Sequence, residues 1–267
     1  MQDDATLCHR QSDPLDPARA NAFLAALGRH DQVQAGDSLL PLFHQLYFWD
    51  AQPPAQLGCD GHPKVGGLIP DMGLPRRMWA AGKVQFLHPL RAGTTAQKTT
   101  TLVNSSHKQG RTGPLGFVTL RHEITQQGQV AIREFQELVY RNDPDPSVAQ
   151  TPPPTARTDE TDSFSRCFDS TLLFRYSALT FNGHRIHYDL DYARDVEGYG
   201  GLVVHGPLLA QMLMLMAQEK LGTLSEFSFR ATAPLMHFEN AAFCWADDGT
   251  CWVRGPDGRQ CMTAQAR

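Results

Sequence analysis

Three of the chain's 11 histidines, His184, His187 and His205, fall within 22 residues of one another. The first two sit in a polar stretch, Asn182-Gly183-His184-Arg185-Ile186-His187-Tyr188-Asp189, and the third opens His205-Gly206-Pro207. Imidazole exchanges protons near neutral pH, which suits it to general acid–base work. An apolar helix is predicted from Pro207 onward, and the first amides of a helix lack internal partners and can bind an oxyanion. Gly206, without a side chain, lets a substrate carbonyl approach those amides closely. A metal is the competing use of such a cluster. Against it, there is no HExxH pattern, and His184 and His187 suit zinc only if the loop presents both rings together. No GxxxxGK[ST] or strand-linked GxGxxG is present to cradle a phosphate. The expectation is acid–base chemistry with no metal and no cofactor.

These residues need rigid elements to hold them. In the helix predicted over 207–221, Gln211 is the sole polar residue between Leu208 and Ala217. A helix apolar nearly all round must be buried on most sides, as it would be if a sheet wrapped it. Strands are predicted after it over 227–233, 241–245, 251–254 and 260–264, with Asp247-Asp248-Gly249 and Gly255-Pro256-Asp257-Gly258 as turns. The first half repeats this order. Asp16 and Pro17 start a helix that Gly28 stops. Residues 39–49 form a second apolar segment, read as helical despite Pro41, and 52–75 reads as an irregular loop. Strands are then predicted over 84–88, 94–104, 115–125 and 130–140. Between the halves, residues 142–162 carry five prolines and no aromatic residue, a composition that resists helix and central strand alike. The expected organisation is α+β: a first half over 1–141, a linker over 142–162, and a second half over 163–267 that bears the histidines.

Composition narrows the function. A 267-residue chain with 41% hydrophobic and 19% charged residues can bury a sizeable core. The net charge of −4 argues against a strongly basic nucleic-acid binder. No segment approaches the roughly 20 apolar residues a membrane span needs. Six cysteines without a CxxC pair suggest reduced thiols and a cytoplasmic setting.

The active stretch resembles the hydratase-2 motif of the MaoC-like hotdog hydratases, approximately Tyr-x-x-Leu-Ser-Gly-Asp-x-Asn-Pro-Leu-His with a His-Gly helix start downstream. Tyr176, Leu179, Thr180, Ile186 and His187 match or nearly match it, and His205-Gly206 matches the helix start. The chain departs where Phe181 replaces Gly, Asn182 replaces the catalytic Asp, and His184-Arg185 replaces Asn-Pro. This version is similar to the branch of fatty-acid-synthase-like dehydratases. Leu74-Pro75-Arg76-Arg77-Met78-Trp79, Pro89-Leu90-Arg91-Ala92-Gly93 and Gly110-Arg111-Thr112-Gly113-Pro114-Leu115 support it in the first half.

The resemblance implies a double hotdog and an enzyme that hydrates an enoyl-CoA thioester. The implied reaction takes mesaconyl-C4-CoA to citramalyl-CoA in itaconate and C5-dicarboxylate metabolism. His187 is then the general base, Asn182 holds the water or product hydroxyl, and the Gly206 N–H polarises the thioester carbonyl. An amide cannot serve as a carboxylate base, so either His187 works both proton transfers or His184 or Asp189 takes part of the Asp's role. His184 and Tyr176 are expected on the substrate, with Arg185 or Arg230 against a free acyl carboxylate. Arg76, Arg77 or Lys83 are candidates for the CoA phosphates. The first half is expected to be non-catalytic, and the assembly a monomer or homodimer. Other readings are an acyl-CoA thioesterase on the same scaffold, a non-catalytic thioester-binding module, and a metal-dependent hydrolase.

Overall fold

The computed structural model describes residues 7–110, 113–143 and 152–267. The acidic first residues, positions 111–112 of the Gly110–Leu115 motif, and 144–151 of the Pro-rich stretch lie outside them. The first half contains β1 (Cys8–Asp13), α1 (Pro17–Ala26), β2 (Arg76–Phe86), β3 (Ala96–Gly110), β4 (Gly113–Gln126) and β5 (Gln129–Arg141). The second contains β6 (Asp162–Arg166), α2 (Ser170–Thr180), α3 (Gly206–Leu221), β7 (Glu226–Ala231), β8 (Ala241–Trp245), β9 (Thr250–Arg254) and β10 (Gln260–Ala266).

All the strands join one antiparallel sheet in the order β1-β3-β4-β5-β2-β7-β10-β9-β8-β6. Adding five to each label of β1-β3-β4-β5-β2 yields β6-β8-β9-β10-β7, the second half read from its own edge. The two halves therefore share a strand topology, and they meet where β2 pairs with β7 from Ala81↔Arg230 to Gln85↔Glu226. Helix α1 follows β1 as α2 follows β6.

Helix α3 forms the core of the second half. Every residue from Leu208 to Ala217 is buried, and the helix lies against β7, β8, β9 and β10. Its one polar residue is satisfied inside the protein, since Gln211 Nε2 donates to the Pro41 carbonyl at 2.7 Å. The helix ends at Gly222 with φ +77, a conformation glycine adopts without the strain of a Cβ.

Two local expectations are corrected and one strand is added. Residues 39–49 do not form a helix but a single 3-10 turn, Phe43–Leu46. Leu42 and Phe48 on either side have φ of 64° and 61°, which breaks helical propagation at both ends. Strand β2 begins at Arg76, well before 84, because a bulge between Trp79 and Ala81 interrupts the alternation a strand is read from. Strand β1 carries no apolar alternation, because Cys8-His9-Arg10-Gln11-Ser12-Asp13 is a polar edge strand with one buried residue. Between β6 and α2, Asp169 caps the helix and accepts from the Leu172 N–H.

Candidate active site

A cavity of about 1310 Å³ lies between the two halves. Helix α2, the loop that follows it and the start of α3 form one side. Strand β2 and the loop over 57–63 form the other. Tyr176, Asn182, His184, His187 and Gly206 all line it, so five of the seven site residues expected from sequence come together.

The loop is fixed by local hydrogen bonds. Phe181 ends α2 at φ 54°, and the Asn182 N–H donates back to the Ser177 carbonyl at 2.8 Å. Asn182 Oδ1 accepts the His184 N–H at 3.0 Å, which leaves the amide NH2 of Asn182 as a donor toward the cavity. His187 follows in a 3-10 turn, Arg185–His187, and its Nδ1 lies 2.7 Å from the Val203 carbonyl. A carbonyl only accepts, so Nδ1 carries the proton and Nε2 holds a lone pair. Burial lowers the His187 pKa to about 3, which keeps the ring neutral at physiological pH.

His205 supports this ring from behind. It is fully buried, its Nε2 meets Ser177 Oγ at 2.8 Å, and it stacks on His187 with centroids 3.7 Å apart. Tyr176 meets the His205 ring edge-on at 4.8 Å. The His205 carbonyl accepts from Leu208 and Leu209, and Pro207 has no N–H. Gly206 is thereby left as the first-turn donor of α3, at the positive end of the helix dipole. A Cβ on Gly206 would meet only the Trp79 carbonyl, at 3.9 Å. Packing therefore does not demand a glycine there; the space is open to a ligand.

Sequence reasoning missed the contribution of the first half. His62 lies beside His184 with ring centroids 4.4 Å apart, and its Nδ1 is 3.0 Å from Asp60 Oδ2. Burial opposes ionisation of Asp60, but the hydrogen bond to His62 holds its carboxyl well below the usual range. Burial lowers the pKa of both His62 and His184, and the nearby charge of Arg77 lowers them further. The two loops dock backbone to backbone. A Cβ on Gly61, at φ +87, would fall 2.0 Å from the Gly183 carbonyl, and one on Gly183 would fall 2.6 Å from the Gly61 carbonyl. The signal for this was present: Asp60-Gly61-His62 echoes Asn182-Gly183-His184.

Of the histidines considered from sequence as a zinc set, His205 is buried against Ser177, and His187 keeps Nε2 free beyond its bond to Val203. Asp60, His62 and His184 instead place one ligand atom each within 4.8 Å of one another, and these are the residues that could hold a metal. The 3.0 Å Asp60–His62 contact makes the arrangement a carboxylate–imidazole hydrogen bond in its own right, with Nε2 of His62 left as a second lone pair.

Arg185 and Arg230 are not brought to the cavity. Arg185 donates to Asp189 Oδ2 and to the Cys59 carbonyl and covers the Tyr192 ring at 4.2 Å, so it staples the 58–62 loop from outside. That pairing also removes Asp189 from the chemistry. Arg230 projects from β7 with 62% of its side chain exposed, toward Glu137. Arg185→Ala is accordingly expected to lower turnover of dicarboxylic and simple enoyl thioesters equally, and by less than about tenfold, because it acts only through the loop. A loss confined to the dicarboxylic substrate in parallel kcat/KM measurements would contradict this placement.

The chain is similar to known proteins over most of its length. The family described as hydroxyacyl-thioester dehydratase type 2 matches residues 42–237. A mesaconyl-C(4)-CoA hydratase of Chloroflexus aurantiacus is 42% identical over 257 residues, covering 94% of this chain and 92% of the relative. A mitochondrial hydroxyacyl-thioester dehydratase type 2 of Schizosaccharomyces pombe is 28% identical over 245 residues, covering 81% and 80%. Among solved structures, a MaoC-like dehydratase from Phytophthora capsici superposes with a TM-score of 0.70 at 13% identity, covering 98% of this chain and 96% of that one. A Mycobacterium tuberculosis protein described as a double hotdog superposes with a TM-score of 0.57 at 14% identity, covering 98% and 94%. The sheet topology and these likenesses identify the fold as a double hotdog.

Proposed function

The chain belongs to the hydroxyacyl-thioester dehydratase type 2 family, and from that premise we propose that it reversibly hydrates mesaconyl-C4-CoA to citramalyl-CoA in C5-dicarboxylate (itaconate) metabolism. It is an enzyme of the hydratase and dehydratase kind. The observation that carries the hydration chemistry is the hydrogen bond from His187 Nδ1 to Val203, which leaves Nε2 as a base on the wall that also bears the Gly206 amide, and the 42% identity to a mesaconyl-C(4)-CoA hydratase supports the choice of substrate.

The thioester carbonyl accepts from the Gly206 N–H at the start of α3. His187 Nε2 takes a proton from water as the water oxygen bonds to the β-carbon. The π electrons move toward the thioester, and the enolate oxygen that forms is held by the Gly206 N–H; such a donor contributes roughly 10²–10³ in rate. The α-carbon then takes up the proton that the water released, and the enolate collapses to the saturated thioester. Asn182 donates to the water or hydroxyl oxygen. Tyr176 and His184 shape the acyl pocket, and Asp60 backs His62 as a second imidazole able to hold the travelling proton. Residues 1–141 thus contribute one wall and 163–267 the catalytic loop. All six cysteines are free thiols, consistent with a cytoplasmic enzyme, and no helix among the described residues is long and apolar enough to cross a membrane.

A panel of enoyl-CoA thioesters, followed by enoyl absorbance and by free thiol, tests the reading. Mesaconyl-C4-CoA is expected to lose its enoyl absorbance without thiol release, and citramalyl-CoA to regain it. Thiol release without hydration would make the protein a thioesterase, and binding without turnover a carrier.

A further inference from the structure

Five cations line the cavity: Arg76, Arg77, Lys98, Arg141 and Arg259. Arg76 is held by Glu197 and Asp143, and Arg259 by Glu239 and Asp257. Lys98 lies in the field of Glu134 and Asp50. Neither Arg77 nor Arg141 pairs with a carboxylate among the described residues, but of the five Arg77 alone acts electrostatically on both His62 and His184. A half-buried guanidinium without a counter-charge is costly, and the cost rises once a ligand displaces the water around it. Such a site favours a ligand that brings its own anion.

The backbone places this charge at a defined reach from the carbonyl-binding amide. Arg77 and Trp79 are two apart on β2, hence on one face and about 7 Å apart along the strand. The Trp79 carbonyl is the nearest atom to the open space at Gly206, at 3.9 Å from where a Cβ would stand. A thioester carbonyl at Gly206 therefore lies about two strand residues from Arg77, a span the next few acyl carbons can cover.

We propose that Arg77 is the specificity-determining residue of the site, binding a carboxylate carried on the β-carbon of the acyl group through a two-pronged ion pair. This rests on the hydratase reading above and assigns the charge recognition that Arg185 and Arg230 cannot supply. The guanidinium fork matches a carboxylate with two parallel hydrogen bonds, which also fixes the rotation of the β-carbon. A β-carbon so fixed presents one face to the water at His187 and Asn182. The bound carboxylate also offsets the field that Arg77 exerts on His62 and His184.

Succinyl-CoA and butyryl-CoA test this, because both have four-carbon acyl chains and the first bears a carboxylate where the second has a methyl group. Titration calorimetry on the full chain is expected to show wild type binding succinyl-CoA at least tenfold more tightly. Arg77→Ala is expected to weaken succinyl-CoA by about 30- to 100-fold and butyryl-CoA by less than about threefold, with Arg77→Lys between. In turnover, the loss on mesaconyl-C4-CoA is expected mainly in KM, as for a contact made equally in ground and transition states. A preference that survives in Arg77→Ala, or a wild type that shows none or binds neither thioester, overturns the proposal. Unfolding midpoints show whether each variant is folded. Because the preference is read from binding, it is judged separately from the hydratase reading, which stands or falls on turnover.

Discussion

His187→Asn is expected to lower kcat for hydration by about 10³-fold while the protein stays folded and still binds a saturated CoA thioester. The size follows from what the residue does. Nδ1 is committed to Val203, so Nε2 is the ring's sole means of proton transfer, and the His205 stack at 3.7 Å denies it another orientation. Asparagine is the informative replacement. Its amide NH2 occupies the position of Nδ1 and can keep the bond to Val203, whereas alanine strands a buried carbonyl at a cost of about 1–3 kcal/mol. The asparagine variant thus removes the base and preserves its setting. Single-turnover absorbance traces on mesaconyl-C4-CoA, with an unfolding midpoint beside them, decide the matter. More than a tenth of wild-type kcat in His187→Asn would take His187 out of the water-activating role.

What the sequence disclosed about this site follows chain proximity. Asn182, His184, His187 and Gly206 lie on one stretch whose motif is continuous, and the cavity brings them together as the spacing suggests. Helix α3 was equally legible, since a run from Leu208 to Ala217 broken by Gln211 alone can only be a buried helix. Contacts between the halves were not legible. The echo of Asp60-Gly61-His62 in Asn182-Gly183-His184 hints at kinship between the two loops but not at their contact, which is made by backbone and needs glycine on both sides. The arginines failed for a related reason. Arg185 sits next to the active residues in sequence, yet an Asp four residues later on the same turn draws it outward. Arg77 is distant in sequence, and the bulge after Trp79 concealed the strand that aims it. The helix expected over 39–49 failed because left-handed residues on both sides of Phe43–Leu46 are set by tertiary packing, against the local preference of leucine and phenylalanine.

The second large effect concerns acid. The folded protein is expected to lose most of its stability between pH 6.5 and about 4.5, where His187 itself remains neutral. Burial lowers His187 to about 3 and His122 to about 4, against 6.5 for an unperturbed ring. Such a group binds its proton in the unfolded chain before it does so in the fold. The penalty is therefore absent above pH 6.5 and grows as pH falls toward the folded-state value. At about pH 4.5 each of these two rings costs about 3 kcal/mol, a large part of the ~5–15 kcal/mol that holds a domain together. His62, His184 and His205 are lowered in the same direction, and Glu134, held ionised by His44, adds its own loss at lower pH. Urea unfolding at a series of pH values measures the slope, and a midpoint constant from pH 7 to 4.5 would refute the argument. His122 offers a check outside the active site. It accepts from Thr100 Oγ1 at 2.8 Å and donates to Gln136 Oε1 at 3.1 Å, so it is a structural ring. His122→Gln is expected to flatten the slope by about one proton, and proton uptake on unfolding at about pH 5 is expected to fall by the same amount if the variant is folded but destabilised. The acid limb of activity then reports unfolding: kcat is expected to follow the folded fraction down, because the base that activates water has not yet taken a proton.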